Sequence, residues 1–236
     1  MAPSAIAGAA ALEWGGHRVE LLPQRAAWLP QRHCLLVADL HLGKALSFRR
    51  LGAPVPRGTT ADTLQRLSGL LQALGARELV VLGDFLHAPE AQAPAVHEAL
   101  LRWRAAWPDL ALTLVRGNHD DRAGDPPAAL GLRVVDEPWC LAPPAALAAG
   151  IPQAPPLLAL AHHPLRRDGA QVLAGHLHPC VHLSGRARDR LRLPCFHFAQ
   201  GVGVLPAFGA FTGMHPVRRT PGDQVWAAAD RVVALR

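Results

Sequence analysis

Five short apolar runs in this 236-residue chain each end on a cluster of Asp, Asn or His, and that repeated succession limits the folds available to it. Leu35 to Ala38 runs into Asp39-Leu40-His41, and Leu79 to Leu82 into Gly83-Asp84. Leu112 to Val115 precedes Gly117-Asn118-His119-Asp120. Leu157 to Ala161 leads to His162-His163-Pro164, and Val172 to Ala174 to Gly175-His176-Leu177-His178. Short apolar runs bounded by turn residues read as buried strands, and open α/β sheets place their sites beyond the carboxyl ends of such strands. The clustered side chains offer oxygen and nitrogen donors suited to divalent manganese, iron or zinc, and no cysteine takes part. In Asp39-x-His41 and His176-x-His178, a spacing of two turns both side chains to one side if the backbone is extended. One such pair is commonplace and more often marks an incidental loop. Five in order imply a metal centre.

Between the runs, Leu64, Leu67, Leu71 and Leu74 form one helical stripe, and Val96, Leu100, Trp103 and Trp107 another. From Val181 onward the pattern is mostly strand, with alternation at Leu191 and Leu193 and again at Phe196 and Phe198. Two packed sheets layered between helices follow. Leu141 to Pro156, rich in Ala and Pro, reads as an irregular connection or surface insertion. It falls between metal motifs, so it is no domain linker, and residues 1–236 are expected to form a single domain.

The ordered motifs resemble those of the calcineurin-like metallophosphoesterase superfamily: D-x-H, G-D, G-N-H-[D/E], a His after a strand, and G-H-x-H. The resemblance implies an α/β fold, a four-layer αββα sandwich of two mixed β-sheets flanked by helices. It implies two divalent metal ions, with Mn²⁺ the first expectation and Fe²⁺ or Zn²⁺ alternatives. One ion would be held by Asp39, His41, Asp84 and His178, the other by Asp84 as a bridge, Asn118, His162 and His176. Two cations about 3.5–4 Å apart need a shared anion, and a hydroxide bridging them would attack phosphorus in line. His119 is the implied general acid for the leaving oxygen, and Asp120 is expected to orient its imidazole, with a capping or turn role as the alternative.

His162 and His163 are adjacent, and successive residues of an extended segment point to opposite faces, so one of them is expected to bind metal. The family pattern favours His162 and leaves His163 facing substrate or supporting a ligand. His87 lies where it could reach substrate or orient a ligand. For His17, His33, His97, His182, His197 and His215 a structural role is the default. Cys34, Cys140, Cys180 and Cys195 show no C-x-x-C spacing and read as reduced, mostly buried thiols.

The formal charge of +6 would suit a polyanionic partner, although an Ala/Pro/Arg-rich composition with one lysine adds arginine regardless of function. Clusters are more informative: Lys44, Arg49, Arg50 and Arg57 follow the first motif, Arg166 and Arg167 the fourth, and Arg186, Arg188, Arg190 and Arg192 the fifth. Guanidinium groups fork onto phosphate oxygens. A solvated hairpin is an equal reading of the last cluster. No apolar stretch is long enough to span a bilayer, and the Ala-rich start, Met1 to Leu12, lacks the cations of a signal peptide, so a cytoplasmic enzyme without membrane contact is expected.

Within the superfamily, Asp39-Leu40-His41-Leu42-Gly43-Lys44, Gly175-His176-Leu177-His178-Pro179, Leu193-Pro194-Cys195-Phe196 and the tail run Val204 to Gly213 resemble the bacterial ligase-associated DNA damage response endonucleases of the PdeM type. Gly213-Met214 departs from the Gly-Gly common there. That resemblance implies cleavage of DNA phosphodiesters in repair, with a DNA ligase, a helicase and an exonuclease-like protein as possible partners. In the tail run, proline and glycine are expected to shape a turn with the phenylalanines packed beneath it. A metal-dependent phosphodiesterase or pyrophosphatase of a small nucleotide or lipid-linked substrate is the alternative. Protein phosphatase activity is disfavoured because Gly83-Asp84-Phe85-Leu86-His87-Ala88 lacks G-D-x-x-D-R-G. A metal-free binding module on the same scaffold is disfavoured by intact residues at every motif position.

Overall fold

The computed structural model describes residues 6–14, 16–141, 157–184 and 190–235. Its first sheet has seven strands in sequence order: β1 (Ala10–Trp14), β2 (His17–Leu22), β3 (Ala26–Leu29), β4 (Cys34–Ala38), β5 (Glu78–Leu82), β6 (Ala111–Val115) and β7 (Arg133–Val135). β1 to β4 pair antiparallel, and β4 to β7 parallel. The second sheet holds β8 (Trp139–Cys140), β9 (Leu157–Leu160), β10 (Ala170–Ala174), β11 (Pro179–Ser184), β12 (Arg190–Ala199), β13 (Val202–Val204), β14 (His215–Pro216), β15 (Gln224–Ala228) and β16 (Val232–Leu235). There β9, β10 and β13 run parallel, whereas β11, β12, β15 and β16 form antiparallel hairpins.

Alternation along the parallel strands sorts their side chains between two cores. Leu35, Val37, Leu79, Val81, Leu112 and Leu114 pack against the helices, whereas Leu36, Ala38, Val80, Leu82 and Val115 face the second sheet. A strand apolar on both faces reads as an unbroken run, which is why these were visible in the sequence. The helical stripe at Leu64, Leu67, Leu71 and Leu74 lies on α2 (Thr59–Leu74), all four buried. Two further helices, α1 (Lys44–Arg50) and α4 (Asn118–Ala123), follow metal motifs directly. α3 (Pro94–Ala105) carries Val96, Leu100 and Trp103 into the same core, but stops short of Trp107. Pro108 disfavours helical backbone at the residue before it. The four helices of the described residues cover the outer face of the first sheet, and Phe196 and Phe198 of β12 fill the space between sheets. None is long and apolar enough to cross a membrane.

β1 to β3 were not foreseen. Their side chains also divide between two apolar cores, with Ala26 and Trp28 on one and Ala27 and Leu29 on the other, so the run shows no alternation of polarity. The expected insertion between Leu141 and Pro156 falls, beyond Leu141, outside the described residues, as do Arg186 and Arg188.

Candidate metal centre

All five motifs begin just beyond the carboxyl end of a parallel strand, at β4, β5, β6, β9 and β10. Backbone hydrogen bonds then lace their loops together. The His41 N–H donates to the Asp84 carbonyl at 2.8 Å, the Asp39 N–H to that of Gly83 at 3.2 Å, and the Gly175 N–H to that of His162 at 3.1 Å. The loop of the fifth motif reaches across to the first through the His176 N–H, which donates to the Asp39 carboxylate at 3.0 Å.

The local backbone differs from the extended form that the spacing of two suggested. Asp39, His41, Asp84, His176 and His178 have φ of 54°, 47°, 54°, 71° and 47°, and they are five of the eight described non-glycine residues with positive φ. Each pair converges because both of its members are left-handed, not because a strand continues. Such residues cost about 1–3 kcal/mol each and persist where their surroundings hold them. Here close packing does so. A Cβ on Gly83 would fall 2.1 Å from His162 Nδ1, and one on Gly117 would fall 2.5 Å from the Asp84 carboxylate, so both motif glycines are needed for loops to approach this closely.

Seven side chains expected at the centre come together. His41 Nε2 lies 3.3 Å from His178 Nε2 and 3.6 Å from Asp84 Oδ2, and His178 Nε2 lies 3.5 Å from Asp39 Oδ1. His162 Nε2 lies 3.0 Å from Asn118 Oδ1, 3.0 Å from His176 Nδ1 and 3.5 Å from Asp84 Oδ1. Asp84 thus stands between two groups, buried like Asp39 and His162.

Hydrogen bonds behind the imidazoles fix which nitrogen faces inward. His162 Nδ1 meets the Leu82 carbonyl at 3.2 Å and His178 Nδ1 meets the Gly213 carbonyl at 3.1 Å. A carbonyl only accepts, so each of these nitrogens donates, and in the neutral ring Nε2 turns a lone pair inward. His41 Nδ1 is held from behind by His87 Nδ1 at 3.2 Å. In that neutral form the Nε2 lone pairs of His162 and His178 face the oxygens of Asn118, Asp84 and Asp39. Inward lone pairs beside carboxylates suit cations, and backing of the outer nitrogen is what metal-binding histidines need. The clustered His and Asp side chains suit a dinuclear metal site.

Three residues depart from expectation. Asp120 does not orient His119. Its carboxylate accepts from the N–H groups of Leu86 at 3.1 Å and Gly117 at 3.0 Å, so the capping alternative is what the geometry shows. Burial pushes Asp120 up to about 6, against the pull of those two hydrogen bonds. The His119 imidazole is instead held by the His87 carbonyl, which accepts from Nδ1 at 2.6 Å, and by the His87 ring stacked at 4.7 Å. His162 and His163 do not point to opposite faces. They sit in a bend with ring centroids 4.8 Å apart, and what separates them is that His162 is fully buried while Glu137 takes His163 Nδ1 at 2.6 Å.

Glu137 itself was missed. It also accepts the N–H groups of His162 and His163, at 2.7 and 2.8 Å, and so clasps the whole fourth motif. A lone glutamate in Asp136-Glu137-Pro138 gives no signal of this in the sequence. The tail run does give one, and besides bending at residues 209–211 it supports the first motif. The Phe208 and Gly209 N–H groups donate to the carbonyls of Ala38 and Asp39, at 2.8 and 3.2 Å, bracing the first motif from below. Phe208 is fully buried beneath the Arg66 guanidinium, whereas Phe211 is only half-buried.

Two mixed sheets packed face to face, with a His/Asp cluster beyond their parallel strands, define a calcineurin-like metallophosphoesterase, and the chain belongs to that family. It is 40% identical to the nuclease MPE of Pseudomonas putida, with a TM-score of 0.79 over 96% of this chain and 100% of that one. It is 17% identical to Yfce, a phosphoesterase from E. coli, with a TM-score of 0.39 over 82% and 86% of the two chains. No family model matches the chain, and no curated protein does. The chain is a metal-dependent phosphoesterase.

Proposed function

We propose that this chain hydrolyses phosphodiester bonds of DNA, as a single domain working in the cytoplasm on repair intermediates, with a DNA ligase, a helicase and an exonuclease-like protein as partners. The convergence of Asp39, His41, Asp84, Asn118, His162, His176 and His178 carries the phosphodiesterase reading. Likeness to a nuclease over nearly the whole chain supports the choice of a nucleic acid.

In this reading Asp39, His41, Asp84 and His178 hold one ion, and Asp84, Asn118, His162 and His176 the other. Mn²⁺ is the metal of first choice, with Fe²⁺ and Zn²⁺ as alternatives. A bound pair of divalent ions supplies Lewis acidity to the phosphoryl oxygens and lowers the pKa of water. The protein fixes the rest. Asp84 offers one carboxylate to both groups, and the half-exposed His119 turns Nε2 towards the cleft, 4.0 Å from Asp84 Oδ2. Its Nδ1 already donates to the His87 carbonyl, so Nε2 carries a proton only in the imidazolium, the form able to protonate a departing alkoxide.

The deciding experiment compares Mn²⁺, Fe²⁺, Zn²⁺ and Mg²⁺ on single-stranded, nicked and gapped DNA alongside bis-p-nitrophenyl phosphate. DNA cleavage that stops on chelation and returns with Mn²⁺ is the expected result. Hydrolysis of the small diester without any DNA cleavage would shift the substrate to a small nucleotide or a lipid-linked pyrophosphate.

Glu137 yields a separate expectation, because it positions the loop of His162. Glu137→Ala should weaken binding of the second ion by about 10–100-fold, read by titrating Mn²⁺ into the metal-free protein, with Glu137→Gln retaining part of the affinity. Unchanged stoichiometry and affinity in Glu137→Ala would show the clasp to be dispensable.

A further inference from the structure

One exposed aromatic row leads away from the metal centre and has no part in the hydrolysis itself. Phe48 lies on α1 and is 37% exposed, although the helix buries Ala45 and packs Leu46 against the core. Residues three and four apart share a helix face, so Lys44, Phe48 and Leu51 form a line. Its inner end is Lys44, which is half-buried and within electrostatic reach of Asp84 and Asp39. Its outer end is Leu51, 84% exposed. Phe48 is flanked on one side by His87, ring centroids 6.5 Å apart, and His87 in turn stacks on His119. Phe211 meets Phe48 edge to face at 5.4 Å, which steadies a ring that is still partly exposed. The strip therefore begins beside His119 and runs outward beside Lys44, Arg49 and Arg50, the last of which pairs with Glu90 at 3.4 Å, on a helix with no acidic residue of its own.

We propose that Phe48, braced by Phe211, stacks the base of a nucleotide beside the scissile phosphodiester. The inference rests on the nuclease reading and deepens it by assigning the residues that recognise the base. Cationic side chains follow the backbone of a strand and aromatic faces take its bases irrespective of sequence, which is the combination α1 presents. A small phosphodiester without bases makes no use of this strip. The phenylalanines of the first motif's helix and of the tail run thus meet for a reason that neither run shows alone.

The test is a cycle of two enzymes and two strands: wild type and Phe48→Ala, each with an oligodeoxynucleotide and with a strand of the same length made of abasic sites. Stacking predicts that kcat/KM falls roughly tenfold on removing either the bases or the phenyl ring, and that the two losses do not compound. Phe48→Trp should restore cleavage of the base-bearing strand, which separates loss of the ring face from damage to α1. Equal kcat/KM of wild type and Phe48→Ala on the base-bearing strand, or losses that multiply, would overturn the assignment while leaving the nuclease reading intact. Absence of cleavage by wild type on both strands, with bis-p-nitrophenyl phosphate still hydrolysed, would remove the nuclease reading and this inference with it.

Discussion

Asp84→Asn should bring DNA cleavage down to background while making the metal-free protein more stable to heat. The substitution keeps the side chain's size and removes its charge. Asp84 is buried, and burial pushes its carboxyl above the ordinary carboxylate range, so in the absence of cations the charged form is a cost to the fold. Asparagine relieves that cost. It also removes a carboxylate that faces both groups, at 3.6 Å from His41 Nε2 and 3.5 Å from His162 Nε2. Metal binding stabilises only the folded state, so wild type should gain thermal stability on adding Mn²⁺ and Asp84→Asn should gain little. Calorimetry with and without Mn²⁺, run beside a cleavage assay, reads both effects. A variant that kept wild-type turnover would refute the bridging role.

His119→Ala should slow turnover by about 10²–10⁴ and leave two ions bound. The prediction has a chemical signature that a structural defect would lack. Nitrophenolate departs without help from an acid, whereas the alkoxide of a sugar does not, so the loss should be large on DNA and small on bis-p-nitrophenyl phosphate. Equal losses on the two substrates would deny His119 the acid role. Loss of an ion would make it a ligand instead. Asp120 belongs to neither outcome, since it holds Gly117 and Leu86 and not the imidazole.

The residues of the centre were legible because each had a strand before it and a motif partner within three positions. His162 was separable from His163 only by resemblance, and the reason offered from alternation failed. That rule holds for extended backbone, and the fourth motif is a bend whose two rings touch at 4.8 Å. The same failure recurs at Asp39-x-His41 and His176-x-His178, where the right convergence had been expected from the wrong conformation. Left-handed residues leave no mark on a spacing of two. Glu137 and the edge-to-face meeting of Phe48 with Phe211 were invisible for another reason: partners 25 and 163 positions apart along the chain meet through packing.

Composition and order by themselves determined the class of donors, the number of motifs and the strands that carry them, because apolar periodicity and metal chemistry both act through residue type. Which nitrogen of each imidazole turns inward, which carboxylate lies between the two groups and which helix face borders the cleft were decided by the tertiary structure. Those are relations of distance and direction, set by carbonyls and rings from other loops, and no residue carries them alone.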